Sequence, residues 1–141
     1  MQRNKILCFF ATIIIAAVTI YVVFRGGGVS FGQLAESIKE AVTLLKEHPD
    51  ARVISGGSDV LIKIREGKMA GTSLVSIRDI KEIRGIQLME SGDIFIGAGT
   101  TFSHVTNDPV IRKLIPVLGE AVDQVGGPQV RNIGTIGGNV C

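Results

Sequence analysis

The sequence predicts an α+β chain: a small parallel α/β unit, then a hairpin and helices, all preceded by a transmembrane helix. Three observations predict it. A β–turn–α–β order runs through residues 52–77, around the paired glycines Gly56 and Gly57. A hairpin pattern occupies residues 86–96. Residues 6–24 hold no charged side chain in a chain that is 20% charged overall. As a helix that run would be roughly 28 Å long, close to the hydrocarbon thickness of a bilayer.

Arg3 and Lys5 precede the apolar run and Arg25 follows it. No small-x-small cleavage site follows, which favours a retained signal anchor over a cleaved signal peptide. The excess positive charge lies on the N-terminal side and predicts that the rest of the chain lies outside the cytoplasm. The predicted organisation is a membrane anchor at 1–25, a linker at 26–29 built on Gly26-Gly27-Gly28, and a folded domain at 30–141. The predicted location is a single-pass membrane protein; a cytoplasmic one is the alternative if the run is an artefact.

Within the domain, Ser30 reads as an N-cap with Gln33 completing a capping box. Leu34, Ile38, Ala41, Val42 and Leu45 follow at helical spacing, and His48-Pro49-Asp50 ends that helix. Residues 52–54 read as a short strand and residues 60–65 as a short helix, closed by Glu66-Gly67-Lys68. Residues 73–77 read as a second strand. Residues 86–89 and 94–96 flank Ser91-Gly92-Asp93 and form the hairpin. Asp108-Pro109 reads as an N-cap with proline at the first helical position. Pro116 divides the apolar pattern that follows into a kinked helix or two short ones.

Net charge is +2, the basic residues are scattered, and six Phe and one Tyr are the aromatic residues. This composition excludes nucleic acid as an expected partner. Cys8 and Cys141 form neither a metal-ligand spacing nor a disulfide framework. Mean hydropathy is +0.37, to which the apolar run contributes heavily. The charged stretch 63–68 reads as a solvated face.

Two glycine turns carry the chemistry. Val53-Ile54-Ser55-Gly56-Gly57-Ser58-Asp59-Val60 is the first, and Ile133-Gly134-Thr135-Ile136-Gly137-Gly138-Asn139 the second. Both place paired glycines after apolar, β-prone residues. Backbone N–H groups in such turns can converge on the oxygens of a phosphorylated cofactor when no side chain intervenes. Neither turn runs into Gly-Lys-Ser/Thr, so neither is a Walker loop. Gly97-Ala98-Gly99 lacks the third glycine of a dinucleotide fingerprint. Around the turns, Asp59 reads equally as a helix cap or a cofactor contact, and Arg131 as a phosphate partner or a structural ion pair. His104 has a position from which to face a ligand, although local packing is the commoner use. His48 at a helix end needs only the helix dipole to explain it.

Together these segments resemble the FAD-binding domain of molybdenum hydroxylases, the PCMH type, as found in the FAD-binding subunit of xanthine dehydrogenases. Ser55-Gly56-Gly57-Ser58-Asp59-Val60-Leu61-Ile62 is similar to the first flavin segment. Ile96-Gly97-Ala98-Gly99-Thr100-Thr101-Phe102 is similar to a middle segment. Gly127-Pro128-Gln129-Val130-Arg131-Asn132-Ile133-Gly134-Thr135-Ile136-Gly137-Gly138-Asn139-Val140-Cys141 is similar to the second. The resemblance implies a small α/β subdomain followed by the start of a second, α+β subdomain. It implies FAD, with the pyrophosphate held between the turns. Carried over by position, the binding residues are Arg52, Val53, Ile54, Ser55, Gly56, Gly57, Ser58, Asp59, Gly134, Thr135, Ile136, Gly137 and Gly138. It further implies a molybdopterin-binding subunit and a 2Fe-2S subunit as partners, and an oxidoreductase in which electrons pass from iron–sulfur clusters through FAD to NAD or oxygen. No side chain of this chain is then needed as a general acid or base. The family begins with a short aromatic segment where this chain has the apolar run, and continues past the second turn. The domain at 30–141 is accordingly expected to be incomplete at its C-terminal end. A non-catalytic membrane-tethered protein and a truncated fragment of such a subunit are the alternatives.

Overall fold

A computed structural model describes residues 32–141. The apolar run at 6–24, its predicted membrane span and the Ser30 cap lie outside the described residues. Among the described residues no helix is long and apolar enough to cross a membrane.

The first unit is a three-stranded parallel sheet, order β1-β3-β2, made of β1 (Gly32–Leu34), β2 (Arg52–Ile54) and β3 (Leu74–Ser76). Gln33 and Val53 both stand opposite Val75, on either side of the central strand. The crossovers are α1 (Ile38–Glu47) and α2 (Val60–Arg65), as parallel pairing requires. Ala35, Ala41, Leu44, Ala51, Val75 and Ile80 form the core between α1 and the sheet.

The predicted helix beginning after Ser30 is corrected at its start. Gly32–Leu34 is a strand, and the helix begins about two turns later, at Ile38. The physical reason is a second capping signal. Ser37 Oγ accepts the Glu40 N–H at 3.2 Å, and the Glu40 carboxylate accepts the Glu36 N–H at 2.8 Å. Freed from the helix, Gly32–Leu34 supplies the hydrogen-bonding partner that the buried central strand needs on its open side.

The second unit opens with a 3-10 turn at Lys81–Ile83 and the antiparallel hairpin of β4 (Ile86–Leu88) and β5 (Ile94–Ile96), with Ile86 opposite Ile96. Five short helices follow: α3 (Phe102–Asn107), α4 (Pro109–Leu114), α5 (Pro116–Asp123), α6 (Pro128–Ile133) and α7 (Ile136–Val140). Phe102, Val105, Ile111 and Val122 make their core, against which Ile86, Ile94 and Ile96 pack. Asp108 caps α4 through one carboxylate oxygen that accepts the Val110 and Ile111 N–H groups at 2.8 and 3.3 Å. Pro116 produces two helices, with Ile115 between them.

The second glycine turn is also corrected. It does not follow a strand. Gly134 and Thr135 separate α6 from α7, and Gly137 and Gly138 lie inside α7. Thr135 caps that helix by accepting the Gly138 N–H at 3.2 Å. The single bridge between Thr101 and Thr135 joins it to the start of α3.

Candidate functional site

The first glycine turn connects β2 to α2. Its carbonyls point into the helix: Gly57 O accepts the Leu61 N–H and Asp59 O accepts the Lys63 N–H, each at 3.1 Å. The N–H groups of residues 55–60 donate to none of the described residues. Gly57 has φ +78, a left-handed conformation that favours glycine. The turn thus leaves a run of backbone donors without an acceptor among the described residues, the kind of group that anion-binding nests use.

The second segment faces it. Gly56 lies so close to the backbone before Gly134 that a Cβ there would stand 1.7 Å from the Ile133 carbonyl oxygen. Between the two segments runs a cleft of about 680 Å³, within the usual size of small-molecule sites. Of the residues carried over from the resemblance, Val53, Ile54, Ser55, Gly56, Gly57, Ser58, Asp59, Gly134, Thr135, Gly137 and Gly138 line it. Arg52 and Ile136 do not. Arg52 is exposed on the edge strand. Ile136 packs against the second core instead.

The two segments do different work. In the second, most donors are already committed: Gly134 N–H to Val130 O at 2.6 Å, Ile136 N–H to Thr100 O at 3.0 Å, Gly137 N–H to Ala98 O at 2.9 Å, and Gly138 N–H to the Thr135 hydroxyl, which leaves the Thr135 N–H as the one without an acceptor among the described residues. Its glycines permit close packing. A Cβ on Gly134 would come within 2.8 Å of the Phe102 ring, and one on Gly137 within 2.8 Å of Ala98 Cβ. A Cβ on Gly138 would meet only Thr135 Oγ1, at 3.1 Å. Gly138 therefore leaves room at the cleft wall rather than a donor.

Other residues complete the cleft. Ala98, Phe102, Val125 and Val130 form an apolar wall, with Ile62 on the α2 side. The sequence signal for Ala98 and Phe102 was the middle segment around Gly97-Ala98-Gly99, which places a backbone close to another. Val125 and Val130 carry no such signal. Asp59 makes no cap hydrogen bond. Arg131 is a structural partner: its guanidinium donates to Gly126 O at 2.7 Å and pairs with Asp123 at 3.3 Å. His104 lies outside the cleft, half exposed, with Nε2 at 3.7 Å from the Asp108 carboxylate. No cluster suited to a metal ion occurs among the described residues.

A pyrophosphate bridge offers many acceptor oxygens and fits a row of unpaired amides, with the Ser55 and Ser58 hydroxyls beside them. An aromatic ring system fits the apolar wall. The lining combines backbone donors and an apolar wall and contains no Lys or Arg, so an anion bound there would have to be met by backbone and hydroxyl donors.

The comparisons with known proteins give the family. Residues 31–141 match the family described as FAD binding domain in molybdopterin dehydrogenase. The chain belongs to this family. It is 37% identical over 107 residues to the xanthine dehydrogenase FAD-binding subunit of Escherichia coli O157:H7, covering 76% of this chain and 37% of that one. It is 38% identical over 107 residues to the nicotinate dehydrogenase FAD-subunit of Eubacterium barkeri, covering 74% and 36%. Among solved structures, carbon monoxide dehydrogenase from Hydrogenophaga pseudoflava superposes with a TM-score of 0.77 at 32% identity, covering 82% of this chain and 40% of that one. The chain spans a little over a third of the length of these curated relatives.

Proposed function

We propose that this chain binds FAD between its two glycine segments and serves as the flavin-binding part of a xanthine dehydrogenase-like molybdenum hydroxylase. The observation that carries the reading is the run of amides at residues 55–60, which have no acceptor among the described residues and belong to a cleft whose far wall is the second glycine segment. The residues present fit the cofactor. The N–H groups of residues 55–60 and the hydroxyls of Ser55 and Ser58 bind the pyrophosphate. Gly56 and Gly134 let the two walls approach, and Gly138 keeps the space open. Phe102, Val125 and Val130 exclude water from the ring system. FAD held by these residues would supply the redox chemistry, a route for electrons from iron–sulfur centres to NAD or oxygen. Partners carrying molybdopterin and 2Fe-2S groups belong to the same reading. It is supported by the relatives named above, two of which are FAD subunits of dehydrogenases.

The test is a titration of the purified chain with FAD, followed by flavin fluorescence, with circular dichroism reporting folding. Saturable binding is expected. Gly138→Glu puts a carboxylate at the cleft wall, and Gly57→Glu adds a charge and also strains the left-handed turn; each is expected to weaken binding by at least about tenfold. A folded chain that takes up no FAD would overturn the reading.

A further inference from the structure

The cleft depends on where the second glycine segment stands, and that segment hangs on a bracket formed by residues 97–102. One edge of the bracket is tied to the loop before the hairpin. Gly99 N–H donates to Ile83 O at 2.7 Å and Gly97 N–H to Gly85 O at 2.9 Å. Ile83 packs on the core of the first unit. The other edge is tied to the second glycine segment by Gly137 N–H to Ala98 O, Ile136 N–H to Thr100 O and Phe102 N–H to Gly134 O.

Thr100 joins the two edges. It is 1% exposed. Its hydroxyl accepts the Gly85 N–H at 3.0 Å and donates to Gly85 O at 3.1 Å. Its own carbonyl accepts the Ile136 N–H. It does not line the cleft. We propose that Thr100 is a positioning residue: by pinning Gly85 with its side chain and Ile136 with its backbone, it sets the second glycine segment against the first turn. Valine has nearly the same shape but removes the only acceptor of the Gly85 N–H among the described residues, and a part-buried donor left without one is costly. Serine keeps the hydroxyl. The consequence for FAD rests on the flavin reading, while the consequence for the second segment rests on these hydrogen bonds alone.

The experiment compares the full chain with T100V and T100S, reading both FAD affinity and amide hydrogen exchange. In T100V the Ile136 and Gly137 amides are expected to exchange at least about tenfold faster, and FAD affinity to fall about tenfold. T100S is expected to restore both. A folded T100V with unchanged exchange and affinity overturns the proposal, as does a T100S equally impaired. If the unmutated chain ignores FAD, the flavin reading fails and the exchange data still judge Thr100. If T100V does not fold, the unmutated chain decides. The Gly85, Ile136 and Gly137 amides should open as one unit. Fast exchange at Ile136 and Gly137 beside a protected Gly85 overturns the proposal.

Discussion

Gly56 shows how a residue identified from sequence changes its meaning in three dimensions. Its place beside Gly57 suggested room for a ligand. In the fold, much of that room is taken by the chain itself, with the Ile133 carbonyl where a Cβ would be. Backbone cannot swing aside as a flexible side chain can, so the two units must part to admit a methyl group. Gly56→Ala is expected to destabilise the chain by about 1–3 kcal/mol or more through overpacking. Urea unfolding measures it, and a change within about 0.5 kcal/mol, the ordinary surface range, would show that the two units do not meet there. Gly57 shows a second reason for glycine beside the ligand approach read from sequence, since its left-handed φ is one that side chains rarely adopt. Arg131 resolves to a structural ion pair, and His104 to a neighbour of Asp108. Neither outcome was legible in sequence, because the choice depends on which acceptor the fold brings near.

Among the elements, those with local signals were read correctly. The strand 52–54, the helix 60–65, the hairpin and the Asp108-Pro109 cap appear as expected. Each has a pattern complete within a few residues. Asp108 is the strongest of these signals, because one oxygen satisfies two orphan N–H groups of α4. Asp108→Ala is expected to cost about 1–2 kcal/mol, seen as a lower urea midpoint with an unchanged slope; a midpoint equal to the unmutated chain's would remove the cap from the account. The missed elements are short. Helix α3 has 6 residues, α6 has 6 and α7 has 5. None fills the window over which helical periodicity stands out. The caps of α3 and α7, Thr101 and Thr135, were present in the sequence, while α6 follows Gly127 and has no side-chain cap; so brief a helix gains its stability from packing rather than propensity. Strand β1 was missed because Ser30 and Ser37 both offered capping boxes, and pairing with β3 adds to the Ser37 cap in favour of the later one.

For the whole molecule, the apolar run sets the question of location. We propose that residues 6–24 tether the domain to a membrane, a reading supported by their length, their lack of charge and the flanking Arg3, Lys5 and Arg25. Protease treatment of sealed vesicles of known orientation tests it. Protection from the cytoplasmic side is expected. Cleavage from that side would reverse the orientation, and recovery of the chain in the soluble fraction would favour the cytoplasmic alternative.

By itself the sequence determined the cofactor family, the order of the three flavin segments and the parallel unit around the first turn. These are local properties, written in glycines, caps and alternating apolar residues that act over short stretches of chain. Only the tertiary structure decided how the two glycine segments divide the work. The amides of residues 55–60 meet no acceptor among the described residues, while the second segment commits those of Ile136, Gly137 and Gly138 to Thr100, Ala98 and Thr135. A backbone N–H has the same chemistry in either place. Whether it is available to a ligand depends on which carbonyl lies opposite, and that is settled by contacts between residues far apart in the chain.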